Sequence, residues 1–235
     1  MKVTDLAKQL LFPLRCPVCD EPARPFGEKI CPECRGKRKI LTQPYCMKCG
    51  KKVAEAEEFC GDCARDEHLF VRGRALYEYG FTAPALYRFK YAGRQEYADF
   101  FGEELAAHLG EFIRTVKPDA LIPIPLHKAR QRHRGYNQAA LLANALGAQM
   151  EIPVLENYLL RIRNTTPLKR LNPAERQNNL KKAFIIGRND VKLNTVILVD
   201  DIYTTGSTMD EAAKTLLKGG VKRVYFVALA CGEGV

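Results

Sequence analysis

Two adjacent carboxylates, Asp200 and Asp201, are followed closely by a run of small hydroxylated residues, Thr204-Thr205-Gly206-Ser207-Thr208. Gly206 lets a backbone approach a ligand closely, and the flanking hydroxyls are donors suited to an anion. A phosphate and two carboxylates repel one another, so the two groups must serve different parts of one ligand. Paired carboxylates accept hydrogen bonds from vicinal hydroxyls, or hold Mg²⁺ through oxygen. A molecule with a phosphate at one end and a diol further along is a ribose 5-phosphate. The plainer alternative is a buried strand, an acidic turn and a Thr N-cap. The length of the hydroxyl run favours a phosphate loop.

Positioning these groups requires a strand before them and a helix after. Thr195 to Val199 is short, apolar and β-branched, the pattern of a strand buried on both faces. Met209, Ala212, Ala213, Leu216 and Leu217 recur at helical spacing. Strand, loop, helix aims free backbone N–H groups and a positive helix end at an anion. Strand alternation sends Asp200 and Asp201 to opposite faces, which predicts that they do different jobs. The stretch resembles the PRPP-binding signature of type I phosphoribosyltransferases. That resemblance implies that Asp200 and Asp201 serve the ribose hydroxyls as catalytic residues, directly or through Mg²⁺. It also implies that Thr204, Thr205, Gly206, Ser207 and Thr208 wrap the 5-phosphate of PRPP.

A second chemistry is written in the cysteines. Eight of the nine form Cys-x-x-Cys pairs: Cys16/Cys19, Cys31/Cys34, Cys46/Cys49 and Cys60/Cys63. Shifting the first half by about thirty positions lays it over the second, an internal repeat whose simplest unit is one four-cysteine zinc ribbon. Two closed thiolate sites follow, Cys16, Cys19, Cys31, Cys34 and Cys46, Cys49, Cys60, Cys63, each expected to hold a structural Zn²⁺. Spacing leaves sequential and crossed pairing both open. A module of this size with so little apolar content needs its metal to fold. Cys231, the ninth, ends an apolar strand and reads as a packing residue.

Composition sets bounds on the rest. The chain has 235 residues, 46% hydrophobic and 27% charged, with a formal net charge of +10. Eight thiolates and two Zn²⁺ would lower that to about +6, still basic, which favours polyanionic partners. No apolar run approaches the ~20 residues of a membrane span. The N-terminus makes a poor secretory signal, so the expected location is the cytoplasm, where cysteines stay reduced.

Beyond Cys63 the pattern is that of an α/β domain. Strands are expected at Arg74 to Tyr79, Ala120 to Ile124 and Arg223 to Ala230; Ala83-Pro84 opens a short helix to Tyr91. A long amphipathic helix runs from Glu96 to Val116, and another ends at Met150. Lys128, Arg130 and Arg134 follow a strand's C-terminal end, where cations can cradle a pyrophosphate. A second basic stretch, Arg161 to Lys182, includes Lys169, Arg170 and Arg176 and is expected to form a flexible loop. A mobile lid and an ordinary exposed loop fit it equally.

The four cysteine pairs, Phe89-Lys90-Tyr91-x-Gly93, Pro123-Ile124-Pro125-Leu126, Arg134-Gly135-Tyr136-Asn137-Gln138, Glu175-Arg176-x-x-Asn179 and the Asp-Asp loop together resemble the ComF family. The likeness covers nearly the whole chain. It implies a double zinc ribbon at residues 1–66 and a type I phosphoribosyltransferase-like domain at 67–235, a parallel sheet flanked by helices. It further implies PRPP with Mg²⁺ as ligand, a role in DNA uptake during natural transformation, and single-stranded DNA and competence-machinery proteins as partners. A phosphoribosyltransferase of nucleotide metabolism, or a single-stranded DNA-binding accessory protein without transferase activity, are the alternatives.

Overall fold

The computed structural model describes residues 13–163, 182–187 and 191–232. Two short helices, α1 (Pro32–Arg35) and α2 (Gly61–Arg65), lie in the cysteine-rich segment. They are followed by β1 (Gly73–Glu78), α3 (Tyr79–Tyr91), α4 (Tyr97–Val116) and β2 (Ala120–Pro123). Next come α5 (Lys128–Arg134), α6 (Gln138–Met150), β3 (Leu159–Arg161) and β4 (Phe184–Ile186). β5 (Thr195–Tyr203), α7 (Ser207–Lys218) and β6 (Arg223–Cys231) complete the described elements.

β1, β6, β5 and β2 form a four-stranded sheet in that order, all neighbours parallel. Parallel strands need helices on both faces, and the burial of β5 shows them. Val196 and Leu198 face α7 through Met209, Ala212 and Leu216. Ile197 and Val199 face α3, α4 and α6 through Leu86, Phe101, Leu105, Leu142 and Leu146. Each layer also takes in one cysteine set. Cys16, Cys31 and Cys34 join the core under α3 and α4, whereas Cys46, Cys49 and Cys60 join the core under α7. The segment between the two sets runs along β1, with Leu41 N–H donating to Leu76 O and Glu78 N–H to Lys39 O. That segment covers the sheet edge, which would otherwise present unpaired backbone groups.

Two boundaries differ by several residues from those expected. β5 does not stop at Val199 but continues through both aspartates to Tyr203, because β6 matches it in register: Asp200 with Ala228, Ile202 with Ala230, Tyr203 with Cys231. α3 begins at Tyr79, ahead of Pro84, which sits inside it. The Thr82 hydroxyl donates to the carbonyls of Glu78 (3.1 Å) and Tyr79 (3.2 Å) at this irregular start. β3 and β4 pair antiparallel, so Arg161 and Phe184 bring together the two flanks of the basic stretch. Among the described residues no helix is long and apolar enough to cross a membrane.

Candidate functional site

The cysteines assemble sequentially. Cys16, Cys19, Cys31 and Cys34 form one cluster and Cys46, Cys49, Cys60 and Cys63 another, with all Sγ atoms of a cluster within 4.8 Å of one another. Each cluster begins with the same turn: Asp20 N–H donates to Cys16 O, and Gly50 N–H to Cys46 O, both at 2.9 Å. Asp20 and Gly50 close these turns with φ of 63° and 80°, so the sequence repeat is a repeat of backbone geometry. Tetrahedral zinc with Zn–S near 2.3 Å spaces its sulfurs by about 3.8 Å. Cys49 and Cys60 Sγ lie 3.6 Å apart, and Cys19 and Cys31 Sγ 4.0 Å. The donor sets therefore fit Zn²⁺, with four thiolates and no position left for a reacting water.

The first cluster is tied to the sheet domain by charge, and the second is braced by an ion pair within its own segment. The Asp20 carboxylate accepts from Arg94 Nε at 2.9 Å and from Tyr97 Oη at 2.6 Å. Burial opposes its ionisation, yet these hydrogen bonds prevail and hold it below the usual carboxylate range. Lys51 Nζ and Asp62 Oδ2 lie 2.5 Å apart beside the second cluster, both nearly buried.

The acidic pair sits at the carboxyl end of β5, the edge where open α/β sheets bind ligands. Asp201 reaches toward α3, where Lys90 Nζ lies 2.5 Å from its Oδ2; the side chains are 18% and 12% exposed. Asp200 lies on the other side of the strand. Burial, reinforced by the charge of Asp201, raises its carboxyl to about 8. Arg161 shares this environment. Burial and the charge of Arg130 lower its guanidinium to about 10, against the pull of Asp200.

Beyond Tyr203 the chain turns through Gly206, at φ 85°, into α7. Thr205 Oγ1 and Ser207 Oγ are 3.1 Å apart. Asp200, Ile202 and residues 203 to 209 line a shallow concavity over the helix start. The first amides of a helix have no carbonyl a turn earlier to bond, and such a helix start suits an anion.

The basic residues after β2 form a helix, α5. His127 Nδ1 caps it by accepting from Ala129 N–H at 3.2 Å, and Gly135 ends it in the left-handed region, φ 86°. Arg130 and Arg134 are partly buried, and Lys128 is exposed. The Arg134 guanidinium stands 5.0 Å from the centre of the Tyr91 ring and also bonds Gln138. Tyr136 Oη donates to Phe89 O at 2.5 Å, binding α3 to this region. Lys169, Arg170 and Arg176 lie outside the described residues. A separate concavity of about 630 Å³ opens at the carboxyl ends of β1 and β6, bordered by Lys39, Lys51, Lys52, Glu78 and Tyr79.

Sequence reasoning missed Lys90, Arg161 and Tyr203 as neighbours of the site. For Lys90 there was a visible trace, the Phe89-Lys90-Tyr91-x-Gly93 motif, though nothing local assigns it a partner.

Comparison with known proteins bears on both halves. A double zinc ribbon domain model matches residues 7–64, and a phosphoribosyl transferase domain model matches residues 134–233. Competence protein F of Haemophilus influenzae is 34% identical over 229 residues, covering 93% of this chain and 97% of that protein. Competence protein ComFC of Bacillus subtilis is 33% identical over 211 residues, 82% of this chain and 80% of its own. The DNA utilization protein YhgH of Escherichia coli K12 is 29% identical over 220 residues, 92% and 96% of the two chains.

Proposed function

Because the chain belongs to the ComF family, we propose that it is a PRPP-binding, phosphoribosyltransferase-like protein acting in DNA uptake, with Mg²⁺ accompanying PRPP at the turn between β5 and α7. The observation that carries this reading is the end of β5, where two carboxylates on opposite sides of one strand precede a glycine turn into a helix. A ribose 5-phosphate has the complementary layout, diol and phosphate a few ångströms apart. Residues 1–66 serve as the zinc ribbon module and 67–235 as the transferase-like domain, and the protein works in the cytoplasm.

In this reading the amides opening α7 and the hydroxyls of Thr204, Thr205, Ser207 and Thr208 receive the 5-phosphate. Asp201 accepts from a ribose hydroxyl once Lys90 turns from it to the ligand, and Asp200 faces the metal-binding side. Bound Mg²⁺ supplies neutralisation of the diphosphate charge. Transfer breaks the C1–O bond, and the electron pair departs with pyrophosphate as the acceptor bonds C1. Lys128, Arg130 and Arg134 stabilise the charge that develops on the leaving group. Calorimetry of PRPP with Mg²⁺ on the full chain tests the assignment. Asp201→Asn should weaken binding about tenfold, the worth of one charged hydrogen bond, with zinc content unchanged. Absence of PRPP binding by the parent chain would overturn the reading.

A second reading, single-stranded DNA binding, is supported by a different surface. Tyr87 and Tyr91 are 64% and 63% exposed, with ring centres 5.2 Å apart on one face of α3. Exposed aromatic rings beside a basic helix are a stacking platform for bases and a track for phosphates. The two readings are compatible, since Tyr91 and Arg134 join the platform to the edge of the PRPP site. Proteins of the competence machinery are the further proposed partners.

A further inference from the structure

Beneath the phosphate turn lies a group that neither the cysteine pattern nor the Asp-Asp motif includes. His68, in the connection between the second cysteine cluster and β1, has a side chain only 2% exposed. Its Nδ1 lies 2.8 Å from Asp210 Oδ2, and the next residue, Leu69, donates its N–H to Asp210 Oδ1 at 2.9 Å. Asp210 stands in the first turn of α7, and its own N–H donates to Gly206 O at 2.8 Å. One carboxylate thus joins the connection to the turn. The His68 ring also presses on Gly206 directly. A Cβ there would lie 2.6 Å from His68 Cε1 and 2.9 Å from Tyr203 Oη. The ring is stacked on Phe70, centres 4.7 Å apart, and Phe70 meets Tyr203 edge-on.

We propose that His68 and Asp210 are positioning residues for the phosphate turn, so that the connection from the second zinc ribbon forms the floor of the ligand site. Two features argue for more than ordinary packing. A carboxylate in the first turn of α7 suits the helix but opposes an anion at the same place. Binding Asp210 to His68 Nδ1 and Leu69 N–H turns that charge away from the ligand side and spends its acceptor capacity below the turn. The second feature is a pair of buried polar atoms under Gly206, His68 Nε2 and Tyr203 Oη, which have no hydrogen-bond partner among the described residues. Such groups are costly to keep in a core, and a floor that is completed when the turn tightens around a phosphate accounts for both. The ligand half of this inference rests on the phosphoribosyl reading; the clamp itself does not.

The test uses the full zinc-loaded chain with two readouts. Amide hydrogen exchange without ligand should accelerate at least tenfold across residues 206–210 in His68→Ala, and His68→Asn, which restores a donor near Nδ1, should recover much of the protection. Titration with ribose 5-phosphate should show about a tenfold loss in His68→Ala, while pyrophosphate with Mg²⁺ binds as to the parent. Asp210→Asn, nearly isosteric, should fall between. Unchanged exchange in His68→Ala overturns the clamp. Faster exchange with parent-like ribose 5-phosphate affinity overturns its link to the ligand, and so does equal loss of both ligands with no rescue by Asn, which marks a merely structural residue. A parent chain that binds no ribose 5-phosphate sinks the phosphoribosyl reading and this link with it, leaving the clamp to the exchange result.

Discussion

Lys90 Nζ lies 2.5 Å from Asp201 Oδ2, joining the last turn of α3 to the end of β5. The pair occupies one of the two carboxylates that the family resemblance assigns to the ribose hydroxyls. A ligand diol reaching Asp201 must therefore displace an ammonium group, and that ammonium is then available to an anionic part of the same ligand. Without Lys90, Asp200 and Asp201 would be adjacent acids with little compensation at a partly buried strand end.

Lys90→Met should therefore lower stability by about 1–3 kcal/mol, a value below that for a fully buried pair because both groups keep some contact with water. Mg²⁺ should restore more of the melting temperature in this variant than in the parent, since removing the ammonium leaves the Asp201 carboxylate free to bind a cation. Melting curves with and without millimolar Mg²⁺ decide it. An equal response to Mg²⁺ in both proteins would contradict the pairing.

Asp200 gives a pH dependence with a definite sign. Burial and the neighbouring Asp201 raise its carboxyl from 3.8 to about 8, so the folded chain holds a proton there that the unfolded chain releases. Stability from this group is present below the ordinary carboxylate range and declines as pH rises through about 8. Cation binding needs the ionised form, so Mg²⁺ affinity should rise across that interval with proton release. Calorimetry in buffers of different ionisation enthalpy measures the protons released, and Asp200→Asn should reduce the number toward zero.

Metal content follows from the two thiolate clusters. Elemental analysis of chain purified with reductant should give two zinc atoms per molecule. The clusters belong to opposite layers of the core, so their losses should differ. Cys60→Ser should loosen the α7 layer, and Cys31→Ser the layer of α3 and α4. Hydrogen exchange that changes in the same elements for both variants would refute this division.

The elements were legible in sequence wherever one local pattern decided them. The β5 core, the α4 stripe and the thirty-residue cysteine repeat are fixed by period, and all appear in the fold. What local pattern could not supply was how far β5 extends, because Asp200 to Tyr203 is strand only by virtue of pairing with β6. Nor could it show that α5 is a helix, a short basic run whose cap is a histidine ring and whose stop is Gly135. Lys90, Arg161 and His68 reach the site from distant segments. Their partners depend on the course of α3 across the sheet edge and on the seat of the ribbon connection under α7, neither of which leaves a periodic trace.

The exposed tyrosines on α3 allow charge and stacking to be separated. Tyr87 and Tyr91 stand with ring centres 5.2 Å apart, and Arg134 lies over Tyr91 at 5.0 Å. If single-stranded DNA runs along this face, bases stack on the rings while phosphates meet the exposed Lys128 and Arg132 on α5. Stacking is worth about 1–3 kcal/mol per base and depends little on salt. Each phosphate contact releases counterions and steepens the salt dependence, by about 0.7 in log–log slope for single strands. Replacing both tyrosines by Ala should therefore cost about thirtyfold or more in affinity at every salt concentration, with the slope preserved. Changing Lys128 and Arg132 to Ala should weaken binding mostly at low salt and flatten the slope by about 1.4. Fluorescence anisotropy with a labelled oligothymidine between 20 and 300 mM salt, concentrations chosen on the order of the range where counterion release is resolved, measures both quantities. Loss of slope in the tyrosine variant, or parent affinity in both variants, would place the DNA on another surface.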